Sequence, residues 1–226
     1  MRLNQFCVRL LVFGLSFSLI PCSFADKKLP VYGRVPDFNF TERSGKELKF
    51  ADLKGNIWVA DFIFTRCQGM CPMLTGQMAG LQEKLKNPKI KLISFSVDPE
   101  HDTPQVLSEY ASRYKAQNGK WLFLTGPKEK MWSFITDGFF LGVEQAAPED
   151  LKAGAEPVMH SARFVLVDQE GKIRGYYDSS EPEKIEELVQ NALSLVSSLR
   201  DGNQGNAEAI PSTEIASASL RNVASQ

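Results

Sequence analysis

Histidine is scarce in this chain of 226 residues: His101 and His160 are the only two. Chemistry that needs an imidazole therefore has two candidates. Cysteine is nearly as scarce, with four residues (Cys7, Cys22, Cys67 and Cys71), too few for the dense disulfide framework of a small secreted scaffold. Charge of one sign is missing in excess as well, since 26 basic residues face 27 acidic ones for a net −1. That balance gives no footing for binding nucleic acid or for a strongly basic membrane face. No internal repeat is present. With 43% hydrophobic and 23% charged residues the composition is that of a packed domain, so a folded core is expected.

The two ends of the chain differ from its middle. Residues 1–25 read as a secretory signal: Arg2 and Arg9 supply the positive start, Leu10 to Ile20 an apolar core, and Ser23-Phe24-Ala25 the small residues of a cleavage site. The apolar core falls short of the roughly 20 residues of a transmembrane helix, so an uncleaved membrane anchor is the second choice. Pro21 before Cys22 disfavours lipid attachment there. Cleavage removes Cys7 and Cys22, leaving 24 basic against 27 acidic residues (net −3) and one cysteine pair. Residues 201–226, rich in Ala, Ser and Asn and poor in aromatics, read as a disordered tail. The stretch between, 33–199, has the length of one domain.

Strands and helices alternate through that domain. Phe38 to Phe40 and Leu48 to Phe50 flank Arg43-Ser44-Gly45-Lys46 as an N-terminal β-hairpin. Ile57 to Phe64 is a nearly continuous apolar strand, the mark of burial on both faces. Leu74, Met78, Leu81 and Leu85 then recur at helical spacing, with Pro72 in the first turn and Asn87-Pro88 as the stop. A strand (Ile90 to Val97), a helix (Thr103 to Tyr114), a strand (Trp121 to Leu124) and a helix (Lys128 to Phe139) follow. The connection Gly142 to Met159 lacks a periodic pattern. Ala162 to Val167 and Lys172 to Tyr177 read as a second hairpin, and Pro182 to Leu199 as the closing helix. This order predicts an α/β domain with a mixed central sheet and helices on both faces, matching a thioredoxin-like fold.

Cys67 and Cys71 fall where a central strand hands over to a helix, the edge at which open α/β sheets place their sites. A helix N-terminus favours thiolate over thiol, and thiolate is both the nucleophile and the soft-metal ligand. A structural disulfide across so short a loop would constrain little of the unfolded chain, so the pair points to chemistry. His160 precedes the hairpin strand Ala162 to Val167, which in a thioredoxin-like fold enters beside the cysteine pair. Two thiolates and an imidazole suit copper, above all Cu(I), and are acceptable to zinc. His101, between acidic residues and prolines, reads as an exposed loop residue, with Asp102 or Thr103 capping the next helix. Asp98 ends a buried strand near the site and is a candidate support for it. Met70 and Met73 flank Cys71 but read as helix packing rather than ligands.

Three blocks carry a family resemblance: Phe64-Thr65-Arg66-Cys67 with Cys71-Pro72, Ser96-Val97-Asp98-Pro99 with Asp102-Thr103-Pro104, and His160-Ser161 before Phe164-Val165-Leu166-Val167-Asp168. On these the chain resembles the Sco/SenC family of copper proteins that assist cytochrome c oxidase assembly. The resemblance implies one copper, Cu(I) or Cu(II), on Cys67, Cys71 and His160. It also implies delivery to the CuA centre in the copper-bearing subunit of the oxidase, and action in the periplasm or another extracytoplasmic compartment. Another copper carrier or a thioredoxin-like reductant would be a further partner. Two features depart from the family. Gln68 stands where many members have proline, and the Gly142–Met159 segment, with Glu144, Glu149, Asp150 and Glu156, reads as a solvated acidic loop.

The rival reading is a thiol–disulfide oxidoreductase that reduces the cysteines of a partner's copper site. One thiolate of Cys67 and Cys71 would attack the partner disulfide and the other would resolve the mixed disulfide. Asp61, six residues before Cys67, resembles the buried acid of thioredoxins that assists proton transfer; its alternatives are a solvent-facing or ion-paired carboxylate. A peroxidase is disfavoured, because Phe64 stands where such enzymes place Thr or Ser.

Overall fold

Two strands that are apolar along nearly their whole length form the centre of the molecule. The structure is a computed structural model and describes residues 28–152 and 156–200; the expected signal and tail lie outside them. The chain begins with β1 (Gly33–Arg34), then the hairpin β2 (Asn39–Glu42) and β3 (Glu47–Lys49), turned at Gly45 with φ +82°. A short helix α1 (Phe50–Leu53) leads to β4 (Ile57–Ile63), every residue of which is buried. The helix α2 (Cys71–Lys84), strand β5 (Ile90–Ser96), helix α3 (Pro104–Arg113), strand β6 (Trp121–Thr125) and helix α4 (Lys128–Phe139) follow. Next come β7 (Val143–Gln145), α5 (Pro148–Lys152), β8 (Val158–His160), β9 (Arg163–Val167), β10 (Lys172–Asp178) and the closing helix α6 (Pro182–Arg200).

Among the described residues eight strands form one sheet in the order β1-β10-β9-β4-β5-β6-β2-β3. β4 pairs parallel with β5 and β5 parallel with β6, while β9 runs antiparallel to β4, so the sheet is mixed as predicted. The parallel pairs use α2 and α3 as crossovers, which is why β4 and β5 need apolar side chains on both faces. Successive side chains alternate between faces. Trp58 and Phe62 of β4 share one face with Phe95 of β5, where they meet Phe139 of α4 at ring-centroid distances of 5.1–6.3 Å. Phe38 and Phe40 of the hairpin close this aromatic core against Phe134 at 5.0 and 5.1 Å. The opposite face of the same strands carries Asp61, Ser94 and Ser96.

The sequence pattern misses some local detail. Phe50 opens α1 instead of ending a strand, because the Asp52 carboxylate accepts the Lys49 N–H at 2.8 Å and starts a helical turn. The patternless segment 142–159 holds β7, α5 and all but the last residue of β8, and among the described residues the two strands pair only with each other in a separate ribbon. Three-residue strands are too short to display a period.

Candidate metal centre

β4 delivers the chain to a turn, residues 64–70, that is held by carboxylates from three other places. Phe64 is buried against the core. Asp102 accepts the Thr65 hydroxyl at 2.6 Å, the Thr65 N–H at 3.3 Å and the Ser96 hydroxyl at 2.6 Å. Burial pushes the Asp102 carboxyl up from its ordinary range, and the Ser96 and Thr65 bonds oppose that rise. Asp98 accepts the Arg66 Nε–H at 2.6 Å. Glu156 Oε1 accepts the backbone N–H groups of Gln68 and Gly69, both at 3.0 Å. The turn is therefore positioned before any ligand arrives.

α2 has no side-chain oxygen at its start. Instead the Cys67 sulfur accepts the Cys71 N–H at 3.4 Å, so a thiol occupies the place of a helix cap. Pro72 sits in the first turn, where its missing N–H costs nothing. Cys71 is fully buried and Cys67 is 9% exposed; both are free thiols. Burial pushes the Cys71 thiol far up; the Phe64 backbone lowers it, whereas Cys67 and Asp61 raise it further. Behind Cys71 its carbonyl accepts the Thr75 hydroxyl at 2.8 Å, and Thr75 in turn meets the Tyr110 hydroxyl at 2.8 Å.

The ribbon brings the imidazole in from the other side. His160 Nε2 lies 3.3 Å from Cys71 Sγ, and Nδ1 lies 3.1 Å from the Ser161 carbonyl. Only an Nδ1–H can donate to that carbonyl, so the assigned tautomer leaves the Nε2 lone pair facing the thiol. The Phe64 ring stands edge-on to the imidazole at 5.7 Å. Burial lowers the His160 pKa, with the Ser161 carbonyl and Glu156 opposing it, which favours the neutral, ligating ring. Among the described residues no three His, Cys, Asp or Glu side chains already stand together as a metal cage. Cys67, Cys71 and His160 form an open set of two soft sulfurs and one nitrogen, a donor chemistry that fits copper.

Other expected positions fall out as follows. His101 is exposed; its backbone N–H donates to the Asp98 carbonyl at 3.0 Å and its carbonyl accepts the Thr103 N–H at 2.9 Å. Thr103, not Asp102, caps α3, accepting the Val106 N–H at 3.3 Å. Asp98 does support the turn, through Arg66. Asp61 neither faces solvent nor pairs with a cation: it is 0% exposed, and neither carboxylate oxygen has a well-formed hydrogen bond. Burial raises its pKa to about 7, the Ser94 hydroxyl on the neighbouring strand offsetting only part of that. Met70 and Met73 are 38% and 47% exposed, so the packing expected of them is absent. The roles of Asp102 and Glu156 were missed, since acidic residues in a loop carry no sequence signal of what they grip.

Comparison with known proteins places the chain in a family. The SCO1/SenC family model matches residues 30–197. The chain belongs to the SCO1/SenC family. A SCO1 protein homolog of Bacillus subtilis is 36% identical over 188 residues, covering 81% of this chain and 94% of that protein. BsSco, described as a member of the Sco family of cytochrome c oxidase assembly proteins and as carrying a disulfide switch, is a similar solved structure. It has 34% identity and a TM-score of 0.63, over 75% of this chain and 97% of that one. ScoI of Bradyrhizobium japonicum, solved with copper bound, shares the fold at 23% identity and a TM-score of 0.53, over 72% and 98% of the two chains. The thioredoxin-like α/β architecture read from the sequence is therefore the fold of the family.

Proposed function

We propose that this chain is an extracytoplasmic copper carrier that takes one Cu(I) or Cu(II) on Cys67, Cys71 and His160 and passes it to the CuA-bearing subunit of cytochrome c oxidase. The observation that carries the reading is the Cys71 Sγ–His160 Nε2 approach of 3.3 Å with Nδ1 tied to the Ser161 carbonyl. It joins a soft sulfur and an unprotonated ring nitrogen from segments 89 residues apart. Copper is cargo here, so the site has to release it as well as hold it. Three donors allow that, because a partner's ligand enters as one of them leaves. Loading needs both thiols reduced and deprotonated, which couples copper uptake to the redox state of the pair. The family membership and the oxidase-assembly description of BsSco support the choice of acceptor. The reading of residues 1–25 as a secretory signal is what supports a periplasmic setting.

Anaerobic titration of the reduced chain with copper, against a competing Cu(I) chelator, tests this. One tightly held copper per chain is expected. Either cysteine changed to Ser should abolish tight binding, and His160→Ala should weaken Cu(II) more than Cu(I), because two thiolates hold Cu(I) in a linear site. Equal, tight binding by Cys67→Ser would overturn the assignment.

Asp61 favours a second reading, thiol–disulfide exchange with the acceptor's own cysteines. A carboxyl with its pKa near 7, buried on the side of the sheet from which it raises the Cys71 thiol, suits proton transfer to or from a thiol. Cys67, the more exposed sulfur, would attack and Cys71 would resolve. Reversible thiol cycling without competition for copper would select this reading.

A further inference from the structure

The ribbon that carries His160 belongs to no other sheet. β7 and β8 pair only with each other, through Val143↔His160, Glu144↔Met159 and Gln145↔Val158. An imidazole on such a ribbon needs something to hold it over the cysteines. We propose that Glu156 is the positioning residue that fixes the His160 ribbon to the Cys67–Cys71 turn and thereby sets how far the site favours three copper ligands over two. This rests on the copper-binding reading above.

Three observations support it. The Glu156 carboxylate oxygen takes the N–H groups of both Gln68 and Gly69 at 3.0 Å, in the middle of the cysteine turn. Those two contacts stand near one end of β8, and the His160–Cys71 contact at 3.3 Å stands at the other. Val143 and Val158 anchor the ribbon in the core, and the two attachments at opposite ends of the short strand fix its direction over the cysteines. Glu156 forms no ion pair with lysine or arginine among the described residues, so the turn is its polar partner rather than a surface cation.

The consequence is specific to the third ligand. A linear two-thiolate Cu(I) complex needs Cys67 and Cys71 alone, whereas Cu(II), with its preference for more and harder donors, needs the imidazole as well. Releasing the ribbon removes the imidazole and leaves the thiols in place. Copper binding here is ligand exchange in which no electron moves, so the effect is read as affinity and as coordination.

The test compares wild type, Glu156→Ala and Glu156→Gln in the full chain, each with and without His160→Ala. Cu(II) and Cu(I) affinities are measured by chelator competition, and Cu(II) coordination by electron paramagnetic resonance. Glu156→Ala should lower Cu(II) affinity about 10- to 100-fold, the usual loss when a residue orienting a ligand is removed. Its imidazole-nitrogen coupling should weaken and its Cu(I) affinity should stay close to wild type. Glu156→Gln, which keeps a neutral acceptor for both N–H groups, should recover part of the loss. In the His160→Ala background Glu156→Ala should cost nothing more. An unchanged Cu(II) affinity and spectrum in Glu156→Ala, or an equal loss with and without His160, overturns the proposal while leaving the copper reading intact. A chain that holds no copper overturns both.

Discussion

Asp61 makes folding stability depend on pH in a direction opposite to that of most carboxylates, and Asp61→Asn should abolish that dependence. The carboxyl is buried without a well-formed hydrogen bond, and its pKa is raised from 3.8 to about 7, chiefly by burial. A raised folded pKa means that the neutral form is the one the fold tolerates. The contribution is fully present below the unfolded value of 3.8 and is lost as pH climbs through about 7. A difference of about three pKa units corresponds to about 4 kcal/mol, at about 1.4 kcal/mol per unit. Roughly 2–3 kcal/mol of this accrues between about pH 5 and 8, where ordinary carboxylates no longer titrate. The carboxamide introduced by Asp61→Asn stays neutral at every pH and matches the shape of the protonated acid. Urea unfolding of the reduced, copper-free chain and of Asp61→Asn, at steps across that window, gives the comparison. Titration of His160 cancels in the difference. Wild type should fall behind the variant by that amount as pH rises, and parallel curves would refute the argument.

Gly171 has φ +81°, and a Cβ there would run into the Phe50 ring. Gly171→Ala should therefore cost about 2–4 kcal/mol from overpacking and left-handed strain together; a melting temperature equal to wild type would remove the steric argument. Asp102→Ala leaves the hydroxyls of Thr65 and Ser96 and the Thr65 N–H without their acceptor. A loss of about 1–3 kcal/mol is expected, with hydrogen exchange accelerated at residues 65–69 and unchanged in the centre of β4.

What was legible in the sequence follows physical lines. Ile57 to Phe64 and Ile90 to Val97 announce themselves because a strand covered on both faces has to be apolar throughout, and both are strands of the central sheet. Lys128–Phe139 appears with the predicted ends, since its apolar face repeats over three turns. Cys67, Cys71 and His160 stood out as candidates because cysteine and histidine are scarce and because His160, unlike His101, precedes a strand entering beside the cysteines; the structure does bring His160 to Cys71 at 3.3 Å. The carboxylates were less legible. Asp61 lies inside an apolar run, and the buried acid that was one of its readings is what the structure shows, but its partners could not be read; Glu156 lies in a segment that reads as a solvated loop. One is buried without a well-formed hydrogen bond, and the other grips two backbone N–H groups 87 and 88 residues away. Which amide a carboxylate meets is decided by the tertiary fold, and nothing local encodes it.

The unequal burial of the two thiols bears on how such a site would work. Cys71 lies inside the fold, its thiol held protonated by burial, with Thr75 and Tyr110 packed behind its carbonyl. Cys67 lies nearer the surface, in a turn pinned by Asp98, Asp102 and Glu156. On the copper-carrying reading, an incoming donor meets Cys67 first and fully buried Cys71 last, with partly buried His160 between them. Release then proceeds outward through the shallower sulfur, and copper stays bound to Cys71 until the partner has supplied its own donor. On the thiol-exchange reading the same asymmetry makes Cys67 the attacking sulfur and Cys71 the resolving one. The two readings diverge at His160. On the copper reading the neutral imidazole facing Cys71 is the third donor, whereas in thiol exchange the same lone pair is a base for the Cys71 thiol. Copper competition and thiol cycling measured side by side on His160→Ala therefore separate the two readings, because the first loses Cu(II) affinity and the second loses exchange rate.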